Sequence, residues 1–322
     1  MRTKQELYST ARRLVAGRRQ RAITLAEEAR QRARGAIPAL AQAEAAVRAR
    51  GFEAARLAAC GAPAAQRAAA LEAGKAAERE RDDLLRAHGF SPEALEPKFT
   101  CPLCKDTGTR DGRMCACVAQ LARGLRREEI AQASALSLSS FDSMDMALYP
   151  ELFDPQLGMT QRQYMAQVLA QLREYADTFD EKSVSLVLRG NAGLGKTHAA
   201  LAIAGTVLEK GYDVVYLSAQ ELFGQLEKSR FETGGLLLEG VLGADLFILD
   251  DLGTEYVSPY MLSCFYTILN TRICTGRPTI YTTNIVDGTA FEARYTEKIA
   301  SRLGGDCEEF LFVGEDIRQL LR

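Results

Sequence analysis

The stretch that decides the fold is residues 184–197, Val-Ser-Leu-Val-Leu-Arg-Gly-Asn-Ala-Gly-Leu-Gly-Lys-Thr. Its last eight residues fit the pattern G-x-x-x-x-G-K-[ST], which binds phosphates where it joins a buried strand to a helix. An apolar run at 184–188 precedes the pattern, and a helical run at 197–209 follows it. A chance glycine-rich turn would lack this context. The stretch therefore predicts a P-loop in an α/β domain.

The residue types of this loop explain how it would hold a nucleotide. Glycines let backbone N–H groups face the β-phosphate, and the start of the following helix adds positive potential. Lys196 would reach the β- and γ-phosphates, and the Thr197 hydroxyl would bind Mg²⁺. The candidate ATP-binding residues are Gly190, Asn191, Ala192, Gly193, Leu194, Gly195, Lys196, Thr197 and His198.

An acidic pair follows a second apolar run, at 246–249. Asp250 would emerge at the carboxyl end of a buried strand, the edge where parallel α/β sheets bind ligands, and would hold Mg²⁺ through water. Asp251 would act as the catalytic base that polarises the attacking water. A purely structural turn at the end of the strand is the alternative.

Short apolar runs alternate with helix-length segments from residue 183 onward, which predicts a parallel sheet. Asn284 follows the last of these runs, where its amide would orient water near the γ-phosphate. Arg302 and Arg318 are available for phosphate charge, although each alone would be an ordinary surface arginine. The runs predicted as strands are 184–188, 213–217, 246–249 and 279–282.

Four of the eight cysteines have the spacing of metal ligands: Cys101, Cys104, Cys115 and Cys117. Two close thiolate pairs can complete a tetrahedral Cys₄ zinc site, with turn-forming residues between them as a short hairpin. Four thiolates leave no open position for water, so the zinc would be structural and would fold a small segment. An iron–sulfur cluster and a redox dithiol are the alternatives.

Composition divides the chain. We predict a helical N-terminal module at 1–98, a zinc knuckle at 99–120, a helical linker at 121–155 and the ATPase domain at 156–322. One long helix is expected at 64–88, ended by Gly89. Residues 1–60 carry 13 Lys or Arg against 5 Glu, which indicates either a surface for nucleic acid or an acidic partner, or a solvated helical face.

The overall composition excludes several protein classes. Apolar residues make up 47% and charged residues 25% of the chain, values typical of a folded globular protein. Apolar runs stay well short of the ~20 residues that a membrane span requires, and no secretory signal follows Met1. We therefore expect a cytoplasmic protein with no membrane partner.

Together these motifs resemble the bacterial replicative-helicase loaders of the DnaI/DnaC type, AAA+ ATPases of the IstB-like ATP-binding subfamily. The resemblance runs from Ser137 to Arg322 and also includes the cysteine knuckle. Its motifs are 190–197 as Walker A, 246–251 as Walker B, 282–284 as sensor 1, 299–303 as the arginine-finger helix and 313–318 as the sensor 2 region.

The resemblance implies an ATP-dependent loader that binds single-stranded DNA through its AAA+ domain and a replicative ring helicase through its N-terminal module. It implies an ATP-dependent homo-oligomer in which Arg302 acts on the neighbour's nucleotide and Arg318 serves as sensor 2. Lys228, Arg230 and Phe231 are candidates for DNA contact by charge and stacking; a helical surface without a ligand is the alternative.

Three other functions fit parts of the pattern. An ATPase helper of a DNA transposase shares nearly all the ATPase motifs, and so does a replication ATPase of a phage or mobile element. The cysteine knuckle before the P-loop favours the loader. A non-catalytic, nucleotide-dependent scaffold or zinc adaptor is disfavoured by the intact Lys196, Thr197, Asp250 and Asp251.

Overall fold

A computed structural model describes residues 1–134, 138–230 and 235–320. The chain forms two compact units: Met1–Ala11 together with the chain from Val118 onward, and Arg12–Cys117. The four-part division expected from composition remains a proposal. Ser137, Phe231 and Arg322 lie outside the described residues.

Long helices dominate the unit Arg12–Cys117, as its many strong helix formers predict. Helix α1 (Lys4–Ala36) begins in the other unit and continues into this one; α2 (Leu40–Ala59) and α3 (Ala64–Ala87) pack side by side. Gly89 follows α3 with φ of +78°, so the helix expected at 64–88 is confirmed. A small apolar cluster joins Ala33, Ile37, Leu40, Leu85 and Leu95.

The cysteine segment is mostly turn. A 3₁₀ helix at Pro92–Leu95 precedes it. Strands β1 (Thr109–Arg110) and β2 (Arg113–Met114) pair antiparallel between the two pairs of cysteines, which confirms the expected hairpin. Helix α4 (Ala116–Ala133) follows.

The segment before the P-loop is less helical than its composition suggests. Its 3₁₀ helices span Phe141–Ser143 and Met146–Leu148. Strands β3 (Phe153–Asp154) and β4 (Met159–Thr160) form a hairpin that the sequence did not predict. Helix α5 (Gln161–Thr178) then starts from a capping box.

A five-stranded parallel sheet forms the centre of the ATPase unit, which confirms the predicted α/β fold. All four predicted strands are present, within two residues of the expected starts. The edge strand β9 was missed because Cys307-Glu308-Glu309 is not an apolar run. The strands are β5 (Ser185–Arg189), β6 (Val214–Ser218), β7 (Leu246–Leu252), β8 (Thr279–Thr283) and β9 (Cys307–Leu311), in the order β6-β7-β8-β5-β9.

Helices cover both faces of this sheet. Leu186 and Leu188 point into one core with α5 and the helix after the P-loop, whereas Val187 points into the other core. These alternating directions follow from the two-residue period of a strand. The remaining helices are α6 (Lys196–Glu209), α7 (Ala219–Lys228), α8 (Leu236–Gly243), α9 (Pro259–Cys274), α10 (Gly288–Tyr295), α11 (Glu297–Asp306) and α12 (Ile317–Leu320).

A buried ion pair ties α4 to the sheet. The Arg126 guanidinium is 1% exposed. Its Nε and Nη2 donate to Asp213 Oδ1 at 3.0 and 2.9 Å, and Nη1 donates to Glu129 at 2.6 Å. Nη2 also donates to the Arg2 carbonyl at 2.8 Å, so the first residues of the chain share this network.

Among the helices of the described ranges, none combines the length and the apolar character needed to cross a bilayer.

Candidate nucleotide site and cysteine cluster

The loop between β5 and α6 has a backbone shape that only glycine permits at two positions. Gly190 has φ of +150°, and a Cβ there would lie 2.5 Å from the Phe312 carbonyl oxygen. Gly193 has φ of +78°, and the Asp316 carboxylate occupies the space of its missing Cβ. Because α6 begins at Lys196, its unpaired N–H groups lie at the end of the loop. This cradle suits a phosphate chain.

The Lys196 ammonium lies inside this loop. Nζ donates to the carbonyl oxygens of Gly190 and Asn191, each at 2.6 Å, and to Asn284 Oδ1 at 2.8 Å. Burial lowers the pKa of Lys196 to about 8, although the charges of the acidic pair oppose that shift. Lys196 therefore connects the P-loop to the end of β8.

Asp250 is almost fully buried and accepts three hydroxyl groups. Thr197 Oγ1 donates to Oδ1 at 2.9 Å, Tyr216 Oη donates to Oδ2 at 2.7 Å and Thr282 Oγ1 donates to Oδ1 at 2.7 Å. The Thr197 hydroxyl and the Asp250 carboxylate thus lie side by side at the carboxyl edge of the sheet. Mg²⁺ prefers oxygen ligands of this kind, so the donor set fits it.

Asp251 is linked to Lys196 through the Asn284 side chain. Asn284 Nδ2 donates to Asp251 Oδ1 at 2.9 Å, so one amide connects Asp251 and Lys196. Burial and the neighbouring Asp250 charge raise the pKa of Asp251. A carboxylate with a raised pKa accepts a proton more readily near neutral pH, which is what a general base requires.

Three further predicted residues lie outside this hydrogen-bonded set. Arg302 is half-exposed on α11, 3.7 Å from Asp306, and is not a member of the hydrogen-bonded set around Lys196 within the described ranges. Arg318 Nε donates to Asp316 Oδ1 at 3.3 Å. The His198 Nε2 lies 2.9 Å from Ser143 Oγ, so its imidazole contacts the segment before α5.

Two residues that position the acids were missed by sequence reasoning. Tyr216 comes from β6, and its hydroxyl donates to Asp250 Oδ2. Thr282 accepts the Asp251 N–H at 2.8 Å while donating to Asp250. Thr282 lies inside the predicted sensor 1 stretch, which was a usable signal; for Tyr216 the only signal was its place near the end of a predicted strand.

The four cysteines converge as their spacing predicts. Their sulfur atoms all lie within 4.8 Å of one another. The Sγ–Sγ distances are 3.9 Å for Cys101–Cys115 and 3.5 Å for Cys104–Cys117. A tetrahedron with Zn–S bonds of about 2.3 Å has edges of about 3.8 Å. The donor set therefore fits one zinc ion.

A buried aspartate shapes the turn after the first pair of cysteines. Asp106 is 2% exposed, and its carboxylate accepts the backbone N–H groups of Thr100 and Cys101 at 2.7 and 2.9 Å. Lys105 and Asp106 both have positive φ, at +49° and +54°. The predicted turn is therefore held by the buried Asp106 carboxylate, whose bonds to the N–H groups of Thr100 and Cys101 the sequence did not predict.

Comparison with protein families assigns the nucleotide domain. Residues 121–315 match the model of the IstB-like ATP binding protein family. The chain belongs to that family. It is therefore an AAA+ P-loop protein of an ATPase family, and the expected fold and the expected ATP-binding class are confirmed.

Individual relatives are similar over parts of the chain. The replicative helicase loader DnaC of Escherichia coli K12 is 29% identical over 120 residues, which are 36% of this chain and 49% of that protein. The phage-like element PBSX protein XkdC of Bacillus subtilis is 26% identical over 239 residues, 69% of this chain and 84% of that protein. The insertion sequence IS21 putative ATP-binding protein of Pseudomonas aeruginosa is 31% identical over 103 residues, 31% and 39% respectively.

The chain spans about half the length of the curated DnaC relatives that it matches. A crystal structure of the DnaC helicase loader superimposes with a TM-score of 0.45 at 21% identity, covering 54% of this chain and 98% of that one.

Proposed function

We propose that this chain is a Mg²⁺-dependent ATPase that loads a replicative ring helicase onto single-stranded DNA. One observation carries the ATPase half: Lys196, Asn284 and Asp251 form one hydrogen-bonded chain, beside the pair of Thr197 and Asp250. Membership of an ATP-binding family supports ATP as the nucleotide. Relatives named as replicative helicase loaders support the loading role.

The geometry supports one route for hydrolysis. Lys196 and the loop N–H groups would bind the phosphates, while Thr197 and Asp250 would hold Mg²⁺, which would supply positive charge to the phosphate oxygens. Asn284 and Asp251 orient the attacking water. The water oxygen bonds to the γ-phosphorus, its proton passes to Asp251, and the bond to the β–γ bridging oxygen breaks to release ADP.

The two arginines have separate roles in this proposal. Arg302 is half-exposed on α11 with a loose partner at 3.7 Å, so it is available to a neighbouring chain's nucleotide in an ATP-dependent homo-oligomer. An arginine acting in trans is worth about 10³-fold or more in rate. Arg318 lies near Lys196, whose pKa its charge lowers after the larger effect of burial, and it serves the chain's own nucleotide.

The cysteine cluster holds one structural zinc in this proposal. The convergence of four sulfur atoms within 4.8 Å favours a single tetrahedral ion over a cluster of several irons. Two of the cysteines, Cys104 and Cys115, are buried, so the ion would be shielded from solvent. Elemental analysis of protein purified without chelator should give about one zinc per chain.

The partners divide between the regions. We assign the helicase to the helical N-terminal module and single-stranded DNA to the ATPase domain. Lys228 and Arg230 lie at and just after the end of α7, where the Arg230 guanidinium lies 4.6 Å from the centre of the Tyr260 ring. The positive charges of these two side chains suit the phosphates of a nucleic-acid strand, and Arg230 also lies 3.7 Å from Glu227. The third candidate, Phe231, lies outside the described residues.

The test is a reconstituted loading reaction. The full chain, the host's replicative helicase and circular single-stranded DNA are mixed with ATP, and unwinding of an annealed oligonucleotide is measured. We expect unwinding to require the chain. We expect the Lys196→Ala variant to support no unwinding. Tight DNA binding that falls steeply with salt, without any complex with the helicase, would contradict the loader role.

A second candidate is an ATPase helper of a DNA transposase. The IstB-like family model and the IS21 relative both favour it. The deciding experiment adds the transposase encoded nearest to this chain's gene and measures strand transfer. Stimulation of strand transfer, with no effect on helicase loading, would replace the first candidate by the second.

A further inference from the structure

Glu255 is a buried acid that the hydrolysis route above does not use. Its side chain is 1% exposed. Oε1 accepts the Tyr295 hydroxyl at 2.5 Å and faces Arg294 Nη2 at 3.4 Å, while Oε2 accepts the Gly253 N–H at 3.0 Å. Its carbonyl oxygen also accepts Arg294 Nη2, at 2.6 Å. A buried carboxylate with this many donors fixes the elements that supply them.

One of those elements is the loop that carries Asp251. The pairing of β7 with β8 shifts register between Leu249 and Leu252, and Asp251 has φ of +60°. Bulges of this kind re-aim side chains beside active sites, and a left-handed aspartate persists only where its surroundings hold it. Glu255 holds the far side of this bulge through the Gly253 N–H.

The other element is the helix pair α10–α11. Tyr295 is the last residue of α10, and its ring packs against Phe265 and Phe291. One residue, Thr296 with φ of +80°, joins α10 to α11. Such a short joint transmits a shift of one helix to the next. On α11, Ile299 and Leu303 are buried in the core shared with α10.

We propose that Glu255 is a positioning residue that couples the Asp251 bulge to the helix that carries Arg302, a role that rests on the ATPase activity proposed above. One carboxylate bonds the bulge and the end of α10, and α10 leads through Thr296 into α11. When Arg302 engages a neighbouring chain, a shift of α11 reaches Tyr295 and then Glu255. The position of Asp251 in one chain therefore depends on whether Arg302 on α11 of that chain contacts a neighbouring chain.

Two substitutions test the coupling in the full chain. Tyr295→Phe removes only the hydroxyl that bonds Glu255 and keeps the packed ring, and Glu255→Gln removes the charge. Tyr266→Phe is the matched control, since Tyr266 is 36% exposed on α9. The readouts are kcat and KM for ATP and the hydrogen exchange of peptides covering 251–256 and 297–306.

We expect kcat to fall about tenfold or more in Glu255→Gln and about threefold or more in Tyr295→Phe, with KM changed less than about twofold, because binding groups are untouched. Exchange should rise in both peptides of each variant. Tyr266→Phe should match the wild type in every readout. The signature is a rise in the distant peptide, which is 297–306 in Glu255→Gln and 251–256 in Tyr295→Phe, because a merely local role would loosen only the peptide beside the substitution.

Exchange that rises only in the peptide beside the substitution, or in neither peptide, would overturn the coupling. A lower kcat with unchanged exchange at 297–306 would overturn it as well. If the wild type does not hydrolyse ATP, or if Asp251→Asn hydrolyses at the wild-type rate, the proposed function fails instead. The exchange measurement still decides the coupling in that case, because it does not depend on turnover.

Discussion

The nucleotide site and the cysteine cluster are built in opposite ways. Both acids of the nucleotide site lie on strand β7 of the parallel sheet, and protein groups already bind them: Asp250 accepts three hydroxyls and Asp251 one amide. The four thiols converge on one another instead, and only two-residue strands lie between the pairs.

This difference indicates which interactions stabilise each site. The nucleotide site belongs to a unit with two large apolar cores, so its frame stands without the ligand. The unit Arg12–Cys117 has a cluster of five buried apolar residues, and these five lie outside the cysteine segment. We therefore expect the knuckle to depend on the proposed zinc, as small metal-bound segments do.

Removing the metal should have the largest effect. Structural zinc contributes about 10 kcal/mol or more to the folding of small zinc modules. We expect Cys104→Ser, or a strong chelator, to unfold residues 100–117 as seen by hydrogen exchange, with nucleotide affinity unchanged. Cys274→Ser is the control, because Cys274 is exposed and outside the cluster. A knuckle that stays protected without metal would break the comparison.

A substitution at the buried Arg126–Asp213 ion pair should destabilise the ATPase unit and leave the cysteine cluster unchanged. Asp213→Asn removes one of the two carboxylates that the buried Arg126 guanidinium pairs with, and because Glu129 stays in place we expect a loss of about 1.5–3 kcal/mol of unfolding free energy. Chemical denaturation followed by a label in the ATPase unit measures the loss. Asp142→Asn, at an exposed pair with Arg173, should cost less than about 1 kcal/mol.

Measuring the zinc content of the Asp213→Asn variant gives a stricter test of whether the two sites are stabilised separately. If Asp213→Asn also released the metal, the knuckle would depend on the ATPase unit, and the two sites would not draw on separate sources of stability.

Lys196→Ala should weaken nucleotide binding and leave the fold intact. One charged hydrogen bond to phosphate contributes about 1.5–3 kcal/mol, so we expect roughly 10- to 100-fold weaker binding of a fluorescent ATP analogue. Lys182→Ala, on the surface before β5, is the matched control. Equal affinity of Lys196→Ala and wild type would refute the assigned role of the loop.

Tyr216→Phe should have the smallest effect. It removes one of three hydroxyls that Asp250 accepts, which costs about 0.5–1.5 kcal/mol. We expect the Mg²⁺ concentration for half-maximal hydrolysis to change by about tenfold or less, with the direction showing whether the hydroxyl orients Asp250 or competes with the ion. No change at all would remove Tyr216 from the site.

The features that could be predicted from the sequence are those formed by residues close together in the chain. Each of these features, the P-loop, the acidic pair and the cysteine spacing, lies within a short stretch. The sequence of that stretch is therefore enough to predict its chemistry. Contacts between distant residues could not be predicted in the same way: Thr282 donates to Asp250 across 32 positions and Tyr216 across 34, although Thr282 lies in the predicted sensor 1 stretch. Only the strand order brings them together.

The missed strands have a physical reason too. The edge strand β9 exposes Glu308 and Glu309, as edge strands do to avoid pairing with other chains, so no apolar run marks it. The β3–β4 hairpin has strands of two residues, too short to show a period of two.

The most direct test of the central claim is the rate of ATP hydrolysis in Asp251→Asn. The substitution keeps the shape of the side chain and removes the proton acceptor. We expect hydrolysis to fall about 10²- to 10⁴-fold while ATP affinity stays within about threefold of the wild type. Asp83→Asn, at an exposed position of α3, is the control and should hydrolyse normally. Hydrolysis by Asp251→Asn at the wild-type rate would contradict the account.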